Sequence, residues 1–198
     1  LDPVTQMIPH KADSKTGKTV EGARGSSMSL ILRMLVEINP ALANEQFKLL
    51  QTNFTSTAFG LPSLREYPKG QQGSGDIDSG PVIFGVGFAG TIVMIGTYSI
   101  FGHGDLAEKQ YKTINAFGFG GTTGSQKKYL FGKFPMADAF IAWGRATGLR
   151  FGSSSKNNSD NWRIKFQVIS LLIIMLCWII FFRKRIMNKI KQVAKRAA

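Results

Sequence analysis

The stretch R-E-Y-P-K-G-Q-Q-G-S-G-D-I-D-S-G-P at Arg65–Pro81, followed directly by V-I-F-G-V-G-F-A-G-T-I-V-M-I-G-T-Y-S-I-F at Val82–Phe101, decides how the chain is read. The first half gathers Arg65, Glu66, Tyr67, Asp76 and Asp78 in a glycine-rich loop. Charged groups on a loop held by a rigid apolar element are where sites are usually found. The second half is twenty residues without a charge, which meets the length of a membrane span. It is rich in glycine and threonine, however, and no basic cluster flanks it. A buried helix ringed by others has the same composition, and that reading is preferred, with a second membrane span as the alternative.

Gly85-Val86-Gly87-Phe88-Ala89-Gly90 fits the G-x-G-x-x-G pattern. A dinucleotide site needs strand, turn and helix within a βαβ unit. No second strand is apparent nearby, so the glycines are read as small residues that let helices approach closely, and no cofactor is expected. The one cysteine, Cys177, lies in a hydrophobic run, which leaves no intramolecular disulfide and no accessible catalytic thiol. His10 and His103 stand apart without metal-ligand spacing, so no metal is expected.

The chain has 198 residues and a net charge of +13, from 25 basic and 12 acidic residues. Seven of the basic residues lie in the last sixteen: Arg183, Lys184, Arg185, Lys189, Lys191, Lys195 and Arg196. They follow F-Q-V-I-S-L-L-I-I-M-L-C-W-I-I-F-F, residues 166–182, which as a helix spans about 25 Å. A basic cluster beside an apolar span reads as membrane topology. Nucleic acid is not expected as a partner, because no nucleic-acid-binding fold signature supports it. The expectation is one transmembrane helix in contact with lipid, with Arg163 and Lys165 snorkelling, Trp162 at the interface and a cytoplasmic tail. Residues 1 to about 160 then lie outside the cytoplasm, periplasmic or extracellular. The domains expected are a helical-hairpin domain at 1–147, a linker at 148–165, the membrane helix at 166–182 and the tail at 183–198.

Along the soluble part, residues 1–24 read as loop. Ser26 is expected to cap a helix whose apolar residues run from Met28 to Ile38. Asn39-Pro40 ends it and opens a second, about 41–57. A short joint of this kind makes an antiparallel hairpin. Asp105 is expected to cap a helix at 106–116, with Glu108 as its capping-box partner. Residues 117–133 read as a long ordered loop, and Pro135 starts a last soluble helix at about 136–145. Strands appear scarce, so the fold class expected is all-α.

Three motifs carry a resemblance: E-G-A-R-G-S-S-M-S-L at 21–30, L-P-S-L-R-E-Y-P at 61–68 and G-D-I-D-S-G-P-V-I-F-G-V at 75–86. They resemble segments of α/α-toroid proteins related to the six-hairpin glycosidases and to the linalool dehydratase/isomerase-like group. The resemblance covers residues 1–147. It implies helical hairpins forming part of an (α/α)6 toroid, with this chain as the C-terminal half, in line with a start at Leu1 rather than Met. It also implies that the starts of inner helices, at Glu21–Arg24, Asp76–Asp78 and Lys133–Phe134, converge on a central cavity. The terpene-converting members use cysteines at their site, and this soluble region has none.

Asp76, Asp78 and Glu66 are the candidate catalytic carboxylates, since paired carboxylates can divide into acid and base when their environments separate their pKa values. In an extended segment Asp76 and Asp78 face the same side. Arg65, Tyr67, Glu21 and Arg24 are the candidate substrate-binding residues. Capping by Asp78-Ser79 and a structural Arg24–Glu66 ion pair are the plainer roles for the same residues. The function expected is a membrane-anchored protein acting on a carbohydrate-like or polyhydroxylated substrate by carboxylate acid/base catalysis, glycoside hydrolase-like or lyase/hydratase-like. The alternatives are a non-catalytic binding or scaffold subunit of a cell-envelope complex with envelope-protein partners, and a small two-span membrane protein.

Overall fold

Asp2 ties down the amino-terminal stretch in the computed structural model, which describes residues 1–58, 60–152 and 162–197. Its buried carboxylate accepts from the Thr5 hydroxyl and from the backbone N–H of Val4 and Ala23. The segment expected as loop therefore closes on itself and pairs β1 (Lys11–Ala12) with β2 (Thr19–Glu21). Two compact units follow from the Cα packing, Leu1–Asn158 and Ser159–Ala198.

In the first unit, Asn39 and Pro40 make the expected corner. The Asn39 side chain accepts from Leu42 N at 3.1 Å and Pro40 opens the next helix, so α1 (Gly25–Ile38) and α2 (Pro40–Phe54) pack as a hairpin. Ser26 is not the cap of α1. Arg24 holds that position in extended conformation, and the Ser26 hydroxyl donates to Glu66 instead. Helix α2 stops at Phe54, short of residue 57, because Thr55–Ala58 forms β3, antiparallel to β4 (Leu61–Leu64). A β-branched T-S-T run is stiff at χ1 and suits a strand better than a helix end.

The apolar stretch also divides. Phe84 and Gly85 both take positive φ, 53° and 79°, and turn β5 (Val82–Ile83) back on β6 (Val86–Gly87). Helix α3 then runs only over Phe88–Ile100, 13 residues or about 20 Å, too short for a bilayer core of ~30 Å. Nine of those residues are buried, with α1, α4 (Gly104–Phe117) and α5 (Pro135–Arg150) packed around them. The preferred reading of a buried central helix holds, and the second-span alternative is set aside. The glycines work as spacers: a Cβ on Gly144 of α5 would meet Ile95 at 3.2 Å and Gly96 N at 3.3 Å. An antiparallel β5–β6 hairpin is not a βαβ unit, so the dinucleotide pattern has no structural basis.

Helices α3 and α4 form a second hairpin. Asp105 lies inside the first turn of α4, behind the N-cap residue His103, and Glu108 reaches Arg145 at 2.6 Å, so the expected capping box does not form. The loop expected at 117–133 contains a hairpin, β7 (Gly121–Thr123) and β8 (Gln126–Lys128), and a short 3-10 turn at Leu130–Gly132. Helix α5 continues five residues beyond Arg145 to Arg150. The all-α expectation is corrected in this respect: the chain is mainly helical, but its described residues include four two-stranded antiparallel hairpins.

One core cluster joins Met28 and Leu32 of α1, Phe47 and Leu50 of α2, Leu64, and Met94 and Tyr98 of α3. Burying each such side chain contributes about 1.5–3 kcal/mol. A second cluster holds Ile95, Ile114, Tyr129 and Ile141.

The second unit is α6 (Trp162–Ala197), 36 residues. Its Phe166–Arg183 window is long and apolar enough to cross a membrane, and most of the apolar side chains there are exposed. The backbone stays helical through the basic tail. Most of the expected linker, at 153–161, and the side chains of Trp162, Arg163 and Lys165 lie outside the described residues.

Candidate functional site

Strand β4 delivers Arg65 and Glu66 between two backbone anchors. Gly25 N donates to Glu66 O at 2.9 Å, tying the start of α1 to this point. Glu66 N donates to Gly85 O at 3.1 Å, tying on the β5–β6 hairpin. Two glycines make the approach possible: a Cβ on Gly25 would overlap the Arg65 carbonyl oxygen, and one on Gly87 would lie 2.6 Å from Glu66 Oε2. The three resemblance motifs are thereby stitched together.

Arg24 is the hub of the charges. Its guanidinium lies 2.6 Å from Glu21, 2.5 Å from Asp76 and 3.9 Å from Glu66, and sits 5.3 Å from the centroid of the Tyr67 ring. Glu66 has no exposed surface; it accepts from the Ser26 hydroxyl at 2.7 Å and from Ser26 N at 3.3 Å. Burial pushes the Glu66 carboxyl above the ordinary range, against the opposing pull of Ser26 and Arg24. Asp76 is held well below the carboxylate range, first by the Ser79 N–H and then by Arg24. For Arg24 burial alone would favour the neutral form, but Asp76 and Glu21 outweigh it and the pKa rises.

Asp76 and Asp78 do not face one side. Asp76 Oδ1 accepts from Asp78 N at 3.1 Å and from Ser79 N at 2.9 Å, which curls 76–79 into a turn. An Asp side chain readily captures backbone N–H groups two and three residues on, and that defeats the extended pairing. Asp78 is left exposed, without an ion pair among the described residues. The turn precedes β5 rather than a helix, so Asp78-Ser79 caps no helix. Arg65 donates to the carbonyls of Tyr67 at 3.1 Å and Gln71 at 2.9 Å, closing the loop on itself. Glu21 also meets Lys11 at 3.1 Å. Lys133 and Phe134, expected to converge here, are exposed at the start of α5, with no hydrogen bond, ion pair or ring contact to the cluster among the described residues.

A cavity of about 240 Å³ lies elsewhere, beside α3. Phe88, Ile92, Ile114 and Ile141 line it, and Ile83, Phe84 and Leu130 stand at its edge. None of Glu21, Arg24, Arg65, Glu66, Tyr67, Asp76 and Asp78 is among its lining residues. The acidic residues therefore do not open into this cavity: the β5–β6 hairpin turns Gly87 toward Glu66 and Val86 toward the cavity. Sequence reasoning missed the cavity. The glycine-aromatic run at 117–133, read as a long ordered loop, supplies Phe117, Gly118, Tyr129 and Leu130 to its lining.

No protein-family model matches this chain, and no curated protein or solved structure is similar to it. The site is therefore read from its own geometry. Behind the cavity, Lys127 Nζ donates to the Tyr111 hydroxyl at 2.8 Å and to Asn115 Oδ1 at 2.6 Å, and the Tyr129 hydroxyl donates to Asn115 at 2.9 Å. Burial would raise the Tyr111 pKa, but Lys127 outweighs it and the net direction is down. Neither Lys127 nor Tyr111 was singled out by sequence.

Proposed function

We propose that the chain is a membrane-anchored, non-catalytic scaffold or binding subunit of a cell-envelope assembly, with residues 1 to about 160 outside the cytoplasm. The observation that carries this reading is the Arg24 hub. One guanidinium engages Glu21, Glu66 and Asp76. Carboxylates spent in this way brace the starts of α1 and the β5–β6 hairpin. A general acid must reach its substrate, and Glu66 has no exposed surface. Anchoring is supported by the Phe166–Arg183 window, and sidedness by the basic tail under the positive-inside rule.

The α/α-toroid kinship belongs to the same proposal. What supports it is the pair of hairpins, α1–α2 and α3–α4, and the meeting of the three motifs around Glu66 beside the start of α1. Catalysis on a carbohydrate-like substrate is the reading this proposal competes with. The deciding experiment compares Asp76→Asn and Asp78→Asn in the full chain in mild detergent, assaying a glycan panel and the melting temperature together. The scaffold reading expects no turnover in any form and a lower melting temperature for Asp76→Asn alone. Turnover by the native chain that disappears in folded Asp78→Asn would overturn it. Protease digestion of sealed vesicles checks the sidedness.

A further inference from the structure

The cavity beside α3 differs in chemistry from the charged cluster. Its polar lining groups are already engaged: Thr91 Oγ1 accepts from Leu64 N, Thr113 Oγ1 donates to Pro62 O, and the Tyr129 hydroxyl donates to Asn115. A polar molecule entering would lose its hydrogen bonds to water with nothing in return. At about 240 Å³ the space is also smaller than the roughly 300–1,000 Å³ of sites that enclose a whole small molecule. It suits the end of an apolar chain whose remainder stays outside.

The rim indicates what that remainder is. Phe84 and Leu130 of the lining, with Phe119 and Phe131 next in the chain to the lining residues Gly118 and Leu130, all take positive φ, 53°, 47°, 45° and 59°. Bulky residues rarely adopt this conformation, and such outliers gather where a function holds them. The result keeps large apolar side chains in solvent, with Phe84 84% and Phe131 81% exposed, and Phe119 stacked on Phe131 at 6.0 Å. Lys128 and Lys133 flank Leu130 and Phe131, are exposed, and make no ion pair among the described residues. Aromatic rings between lysines beside an apolar slot match the composition of a bilayer interface. The same chain carries a helix long and apolar enough to cross a membrane.

We infer that this face takes an acyl chain of an anionic bilayer phospholipid, its tip in the cavity, Phe84 and Phe131 at the acyl–headgroup boundary, and Lys128 and Lys133 at the phosphate. The inference goes beyond the scaffold reading and stands whether or not that reading survives. The test uses the full chain in nanodiscs of phosphatidylcholine and phosphatidylglycerol, with a photoactivatable group near the acyl terminus of the phosphatidylglycerol. Irradiation and peptide mass spectrometry are expected to place label on the segments holding Ile92, Ile114 and Ile141, as well as on α6. Ala137→Phe, which fills the cavity, is expected to remove the cavity label and keep the α6 label. Lys128→Glu with Lys133→Glu, confined to exposed positions, is expected to cut cavity labelling by roughly tenfold or more. Label confined to α6, cavity label indifferent to both variants, equal labelling from a neutral phosphatidylcholine probe, or labelling by a soluble photoactivatable fatty acid alone would each overturn the inference.

Discussion

Arg24 and Asp76 are 52 residues apart, yet the guanidinium Nη1 lies 2.5 Å from Asp76 Oδ2. This pair fastens the Asp76–Ser79 turn to the start of α1. Asp76→Asn isolates its value, because the amide oxygen of Asn can still accept from Asp78 N and Ser79 N while the charge facing Arg24 is gone. The Asp76 side chain is 37% exposed, so the expected loss is nearer a surface pair than a buried one, about 1 kcal/mol. Asp78→Asn, at an exposed position whose side chain makes no ion pair among the described residues, should change nothing measurable. Urea unfolding of the two variants beside the native chain checks both statements.

The same pair sets a pH dependence. Asp76 has a folded pKa below its reference of 3.8. Its contribution is complete above that reference and is lost as pH falls through the lower folded value. Stability of the native chain should therefore drop below about pH 4, and the difference between native and Asp76→Asn should shrink over that interval. A constant difference down to pH 2 would show that the pair does not ionise as described.

Glu66 has the opposite sign. Burial raises its folded pKa above 4.5, so its contribution is complete below that value and is lost as pH rises through the folded pKa. Glu66→Gln keeps an acceptor for Ser26 and removes this slope. Relative to the native chain, the variant should gain stability as pH rises from about 4 to 7. A loss of more than about 2 kcal/mol at pH 7 would mean that the 3.9 Å contact with Arg24 outweighs the desolvation of Glu66.

Backbone closeness can be tested apart from charge. Gly25→Ala places a Cβ onto the Arg65 carbonyl oxygen, which is backbone and has no rotamer to yield. The expected cost exceeds about 3 kcal/mol, enough to prevent accumulation of folded protein in a marginal domain. Gly121→Ala meets nothing within 4 Å and should be silent. Expression level and thermal melting of the two variants are the measurement.

The parts of this fold legible in sequence were those fixed by local chemistry. Asn39-Pro40 announces its own corner, and the apolar run at 166–182 announces a helix long enough to cross a membrane. Grouping Arg24, Glu66 and Asp76 came from the three resemblance motifs that hold them, and the structure brings these residues together. What each does was not. Whether Asp76 pairs with Asp78 or captures the Ser79 N–H depends on φ and ψ at 76–79, which composition leaves open. The β5–β6 turn was hidden for a similar reason, since Phe84 adopts a backbone conformation that its residue type disfavours. The cavity was illegible because Ile92, Ile114 and Ile141 come from three helices, and apolar residues on helices look alike whether they fill a core or line a space.

Arg33 provides the last prediction. It is a charged residue in an apolar stripe of α1, and it is 3% exposed. The guanidinium lies 3.1 Å from the centroid of the Trp143 ring and donates to Thr147 Oγ1 at 2.5 Å, while Nη1 has no hydrogen-bond partner among the described residues. No carboxylate pairs with it among the described residues, and burial lowers its pKa to about 10. Stacking on Trp143 offsets part of the desolvation, but one bond to a hydroxyl leaves most of the guanidinium's donors unused. A buried charge with so few partners is often replaced by an apolar side chain of similar volume without loss. Arg33→Met keeps the length, removes the charge and can bend within the space that Gly96 leaves beside it. It should leave stability unchanged or raise it by about 1 kcal/mol or more at pH 7, where the penalty on the charged form is fully present. Arg33→Ala, which opens a cavity between α1, α3 and α5, should instead destabilise by about 2 kcal/mol or more. Chemical denaturation of both variants separates charge from volume. If Met destabilises as much as Ala, the Arg33–Trp143 stack contributes more than the desolvation costs.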